Sequence, residues 1–160
     1  MLYLGAFAVI FAAFMLWREY SRFLIVELST VRAFIRALED YREHMRCFLD
    51  SPRSWAMEYR DSTLEESGFL VKLREGCRVD EAYISSCGVM YPGDAADGVL
   101  RVCFERLGSG YLDTELTALD SSLDRLIKLE GGMANECKKR TQAAGALLGA
   151  CASGIVIMII

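Results

Sequence analysis

The chain has 160 residues, of which 53% are hydrophobic, and a net charge of −4. The length fits one domain with appendages, and mild acidity without a basic stripe excludes an electrostatic footprint for nucleic acid. All 18 Lys and Arg and all 22 Asp and Glu lie between Arg18 and Arg140, so both ends lack charged side chains while the middle is about one-third charged.

Leu2 to Trp17 is an unbroken apolar run. It is shorter than the ~20 residues that cross a bilayer core, but Trp17 and Tyr20 supply interfacial aromatics that extend it. A cleaved signal peptide is the rival reading. It calls for a basic residue ahead of the run and small residues after it. No Lys or Arg precedes Arg18, and bulky and charged residues follow, so residues 1–17 are expected to form an uncleaved membrane anchor.

From Arg18 to Leu49 the spacing predicts an amphipathic helix continuous with that anchor. Leu24, Leu28, Val31, Ile35, Leu38, Met45 and Leu49 recur at three- and four-residue steps, widened by Phe34, Tyr41 and Phe48. Ser51-Pro52 starts a new helix, with Ser as N-cap and Pro in the first turn. It carries Trp55, Met57 and Tyr59. A helix from about Leu64 to Glu75 is expected to end at Gly76. Another runs from Val79 to about Ser86. The loop Cys87 to Gly93 leaves Met90, Tyr91 and Pro92 either exposed as contacts or tucked onto the bundle. A helix from about Asp94 to Leu107 follows, closed by Gly108-Ser109-Gly110. No period-two run or hairpin turn predicts a strand.

The last helix is expected to begin at a cap, Ser109 or Asp113, and to reach Ile160, about 70 Å. Leu116, Leu119, Leu123, Leu126, Met133 and Cys137 form a seam, and Glu130 occupies one of its positions. Gly131-Gly132 costs about 1 kcal/mol each relative to Ala inside a helix. It reads as a hinge, a close-packing site or a pair without a role. Residues 141–160 are 20 residues without a charge, long enough to span a bilayer. Gly145, Gly149 and Ser153 give a small face for membrane helix packing, within a hairpin against Ala8 and Ala12 or between copies in a homo-oligomer.

Arg18 and Arg22 follow the first apolar run, and Lys138, Lys139 and Arg140 precede the second. By the positive-inside rule these five residues set the topology: residues 18–140 cytoplasmic, both termini outside. The fold expected is all-α, a cytoplasmic bundle of about six helices flanked by an N-terminal and a C-terminal transmembrane helix. The six cysteines are widely spaced, and no pair forms C-x-x-C, which favours reduced, mostly buried thiols over a disulfide framework.

No residue pattern predicts an enzyme. There is no phosphate-binding loop. His44 stands alone, Ser86-Cys87 lacks a base, and Glu39-Asp40 and Glu65-Glu66 read as solvated helix faces. One histidine and no close ligand pair leave no metal site, and no cofactor is expected.

The chain resembles the stage III sporulation protein AB family of endospore-forming bacteria. The likeness covers nearly the whole length. It rests on the anchor running into the Arg18–Leu49 helix, on Leu70-Val71-Lys72-Leu73-Arg74-Glu75-Gly76 leading to Val79-Asp80-Glu81-Ala82, and on Phe104-Glu105-Arg106-Leu107-Gly108-Ser109 followed by Asp113. The resemblance implies a non-enzymatic platform in the channel complex between mother cell and forespore, in the mother-cell membrane facing the forespore. It also implies a cytoplasmic domain similar to the F platform proteins of type II secretion, contacting a secretion-type ATPase and other membrane subunits. The alternative reading is a membrane-anchored regulatory or sensory module that signals through Gly131-Gly132.

Overall fold

The computed structural model describes the backbone of residues 2–49, 51–107 and 112–159 and, within these, the side chains of all but residues 2–10, 13 and 144–160. Among the described residues the chain is all-α, with seven helices and no strand. They are α1 (Leu2–Phe48), α2 (Pro52–Glu58), α3 (Ser62–Glu66), α4 (Phe69–Glu75), α5 (Val79–Ser86), α6 (Asp94–Arg106) and α7 (Leu112–Ile159). As the sequence predicts, α1 runs unbroken from its apolar end into its amphipathic part. Also unbroken is α7, which passes through Gly131-Gly132.

Two compact units result: Val26–Gly131, and Met1–Ile25 together with Gly132–Ile160. In the first, Phe34 of α1 is the centre of an aromatic core. Its ring meets Phe69 of α4 and Tyr83 of α5 edge-on, both at 5.5 Å, and Phe104 of α6 at 5.8 Å. Edge-to-face contacts at such separations align the positive edge of one ring with the negative face of the next. The seam of α7 adds Leu119, Leu123 and Leu126, all buried. Leu28, Val31, Leu38, Tyr41 and Met45 of the α1 stripe are buried as well. The stripe ends one turn earlier than its spacing predicts, because Phe48 and Leu49 are 69% and 72% exposed.

Local chemistry explains most helix ends. The Ser51 hydroxyl accepts from the Ser54 amide at 3.2 Å, with Pro52 in the first turn of α2. Gly76 ends α4 in the left-handed region, φ 94°, and Cys77 N–H reaches back to Lys72 C=O at 3.1 Å, a Schellman closure. The single helix expected from Leu64 to Glu75 is two. Asp61 caps α3 by accepting from the Thr63 and Leu64 amides at 3.0 and 3.3 Å, and Gly68 at φ 82° breaks the chain before α4. Arg74 then staples the pieces, donating to Ala56 C=O (2.7 Å), Tyr59 C=O (3.0 Å) and Glu65 (2.8 Å).

Other expectations change in detail. Met90 and Pro92 are buried, while Tyr91 stays partly exposed with its hydroxyl donating to Asp94. α7 begins at Leu112, so Asp113 stands in the first turn rather than capping it. Ser109 and the Gly108–Gly110 turn lie outside the described residues. The five described cysteines are unpaired, but only Cys103 is buried. A Cβ added at Gly131 or Gly132 meets nothing within 4 Å, so no described residue of the chain packs closely against the pair.

No helix is long and apolar enough to cross a membrane among the described residues. The side chains of most of residues 1–17 and 141–160 lie outside them.

Candidate functional site

In the unit formed by Met1–Ile25 and Gly132–Ile160, the two basic clusters meet. Arg140 lies over the Tyr20 ring, 5.3 Å from its centroid, and its guanidinium also donates to the Tyr20 hydroxyl and to Glu136. A guanidinium on an aromatic face is held by the ring quadrupole. The contact fixes a register. Tyr20 lies two residues past Arg18, where the first uncharged run ends, and Arg140 lies one residue before Thr141, where the second begins. The end of the first run and the start of the second therefore lie at nearly one level.

Arg18, Lys138 and Lys139 are exposed and take no carboxylate partner among the described residues. Arg22 stands 4.0 Å from Glu19. Along α1 at the same level, Phe14, Leu16, Tyr20 and Phe23 are 37%, 74%, 49% and 51% exposed, and Trp17 is half-buried. Apolar side chains thus surround this part of the helix instead of lying on one buried face. Gly145, Gly149 and Ser153 lie outside the residues whose side chains are described.

In the Val26–Gly131 unit, a groove of about 650 Å³ runs between α6 and α7. Val99, Val102 and Arg106 line one wall, and Thr117, Ser121 and Arg125 the other. These positions recur at three- and four-residue steps, so each wall is a single helix face. Val102 is half-exposed here, and neither arginine has a carboxylate partner among the described residues. Cys103, the neighbour of Val102, is buried on the opposite side of the same turn.

The residues considered for chemistry are engaged structurally. The Ser86 hydroxyl donates to Tyr83 C=O at 2.8 Å. The Tyr83 hydroxyl donates to Asp97 at 2.7 Å, and Arg101 holds the other Asp97 oxygen at 2.8 Å. Burial, and then the Asp97 bond, push the Tyr83 hydroxyl far above the ordinary tyrosine range. Burial also raises the Cys87 thiol, whose sulfur is 3.9 Å from Asp97, which lowers its thiolate fraction. Asp40 accepts from the Trp55 indole at 2.7 Å, and Glu65 from Arg74 at 2.8 Å. His44 is partly buried, 4.0 Å from Asp40. Among the described residues no three His, Cys, Asp or Glu gather as a metal site.

Comparison with known proteins adds no relative: no protein-family model, no curated protein and no solved structure matches the chain.

Proposed function

We propose that this chain is a non-enzymatic membrane scaffold. Residues 1–17 and 141–160 cross the bilayer, residues 18–140 are cytoplasmic, and both termini face outward. The observation that carries the reading is the Arg140–Tyr20 contact, which sets the end of the first uncharged run beside the start of the second. Two apolar segments, one ending at Arg18 and Arg22 and the other beginning after Lys138, Lys139 and Arg140 at the same level, suit a hairpin with its basic side in the cytoplasm. Gly145, Gly149 and Ser153 give the second segment a face for packing in that hairpin or between copies.

The particular assembly follows from the resemblance to the stage III sporulation protein AB family. The chain acts as a platform in the channel complex between mother cell and forespore, and its helical unit contacts a secretion-type ATPase and neighbouring membrane subunits. The α6–α7 groove supports such a contact: a helix laid in it would meet Val99, Val102 and Ala118 among Thr and Ser side chains and find Arg106 and Arg125 for its carboxylates, with Asp113 at the same groove. The test is capture of the co-expressed ATPase by the tagged full chain. Capture that is lost in Arg106→Glu/Arg125→Glu, with thermal stability unchanged, supports the platform. Absence of capture by the wild-type chain removes it.

One observation favours the second reading, a regulatory or sensory module. The compact unit ends between Gly131 and Gly132, where α7 has its least helix-favouring pair. A signal passing through this point needs the pair's freedom, so Gly131→Ala/Gly132→Ala should abolish function while leaving assembly intact.

A further inference from the structure

The charge of the chain is divided unequally between its two units. The Met1–Ile25 and Gly132–Ile160 unit carries Arg18, Arg22, Lys138, Lys139 and Arg140 against Glu19 and Glu136, a net +3, whereas the remaining 13 basic and 20 acidic side chains give Val26–Gly131 a net −7. Glu19 and Glu136 are already matched by Arg22 and Arg140. The surplus is therefore Arg18, Lys138 and Lys139, all exposed. The Arg140–Tyr20 contact brings the helix turns that bear these three cations together.

We infer that this belt binds the headgroups of anionic phospholipids in preference to zwitterionic ones. The inference rests on the membrane reading above and deepens it. Three uncompensated cations complement a phosphate-rich surface without a choline or ethanolamine counter-charge. An acidic protein would satisfy the same charges. What favours lipid is the border of the belt: Phe14, Leu16, Trp17 and Tyr20 flank Arg18 along α1 and are at least partly exposed. Cations set against an aromatic and aliphatic surface match the boundary between headgroup and acyl chain.

Trp17 reports on that boundary. The other tryptophan, Trp55, is only 4% exposed, in the core of the other unit. The full chain is reconstituted in phosphatidylcholine vesicles containing increasing fractions of brominated phosphatidylglycerol or brominated phosphatidylcholine, and tryptophan quenching is followed. Half-maximal quenching should need about twofold less of the brominated phosphatidylglycerol. The difference should shrink at high salt and vanish in Arg18→Gln/Lys138→Gln/Lys139→Gln. Trp17→Phe should remove the lipid-dependent quenching, which assigns the signal. Equal quenching by the two lipids overturns the inference alone and leaves the cations to an acidic protein partner. Quenching by neither lipid overturns the membrane reading, and the inference with it.

Discussion

Arg32 of α1 and Glu130 of α7 are joined across 98 residues of sequence: Nη2 and Nε of the guanidinium lie 2.6 and 2.7 Å from the same carboxylate oxygen. Glu130 sits where the α7 seam calls for an apolar residue, and this pair is what makes the acid tolerable there. Its side chain retains 23% exposure and that of Arg32 50%, so water screens the charges. Arg32→Ala should therefore cost only about 1 kcal/mol. Glu130→Leu should be neutral or stabilising, because it continues the seam and removes a partly desolvated charge. Thermal unfolding of the full chain checks both. A loss with Glu130→Leu as large as that with Arg32→Ala would mean that the ion pair itself dominates.

Gly131 and Gly132 stand inside the unbroken α7, and an added Cβ at either meets no atom within 4 Å. Nothing among the described residues requires glycine there. Each Ala substitution should raise stability by up to about 1 kcal/mol through helix propensity. A higher melting temperature with full function favours the scaffold. A higher melting temperature with lost function favours the signalling module, so one variant separates the two readings.

Leu49 ends α1 with φ 58°, the one positive φ outside glycine among the described residues. Its amide still reaches Met45 C=O at 3.2 Å, a left-handed helix terminus. A leucine costs about 1–2 kcal/mol in that conformation, and with 72% of its surface exposed it recovers little by burial. Leu49→Gly should raise the melting temperature. Leu49→Val should lower it, because branching at Cβ worsens the same clash. If Leu49→Gly is destabilising instead, the side chain makes a contact that outweighs the strain.

Much of this fold was legible from spacing and punctuation. Leu28, Val31, Leu38 and Met45 recur at helical steps and are buried. Ser51-Pro52 and Gly76 mark ends that the structure keeps. The break at Gly68 was not legible, because the apolar pattern from Leu64 to Leu73 continues across it, and only the left-handed backbone and the Asp61 cap divide the helix. The exposure of Phe48 and Val102 depends on where α1 ends and how α6 meets α7, which periodicity along one helix does not contain. The same holds for the basic belt. The sequence supplied Arg18, Arg22 and Lys138 to Arg140 as two clusters, but their meeting through Tyr20 depends on the pairing of segments 120 residues apart.

Two acids should respond to pH in opposite senses. Burial pushes the Asp61 carboxyl up, but the Arg36 guanidinium at 2.8 Å and the Leu64 and Thr63 amides outweigh it and hold it below the ordinary 3.8. Its stabilisation is fully present above pH 3.8 and is lost as pH falls through the depressed folded value. Burial, and then the nearby Asp94 carboxylate, hold Glu27 above its ordinary 4.5. Its ionisation therefore costs stability above the folded value, and the cost disappears as pH falls towards 4.5. Glu27→Gln should raise the melting temperature at neutral pH and lose that advantage in mild acid. Asp61→Asn should lower the melting temperature at neutral pH and flatten its fall on acidification. Melting curves across the acid range distinguish the two. A Glu27→Gln advantage that stayed constant with pH would show that shape, not charge, sets the effect where Glu27 approaches the left-handed Gly93 backbone.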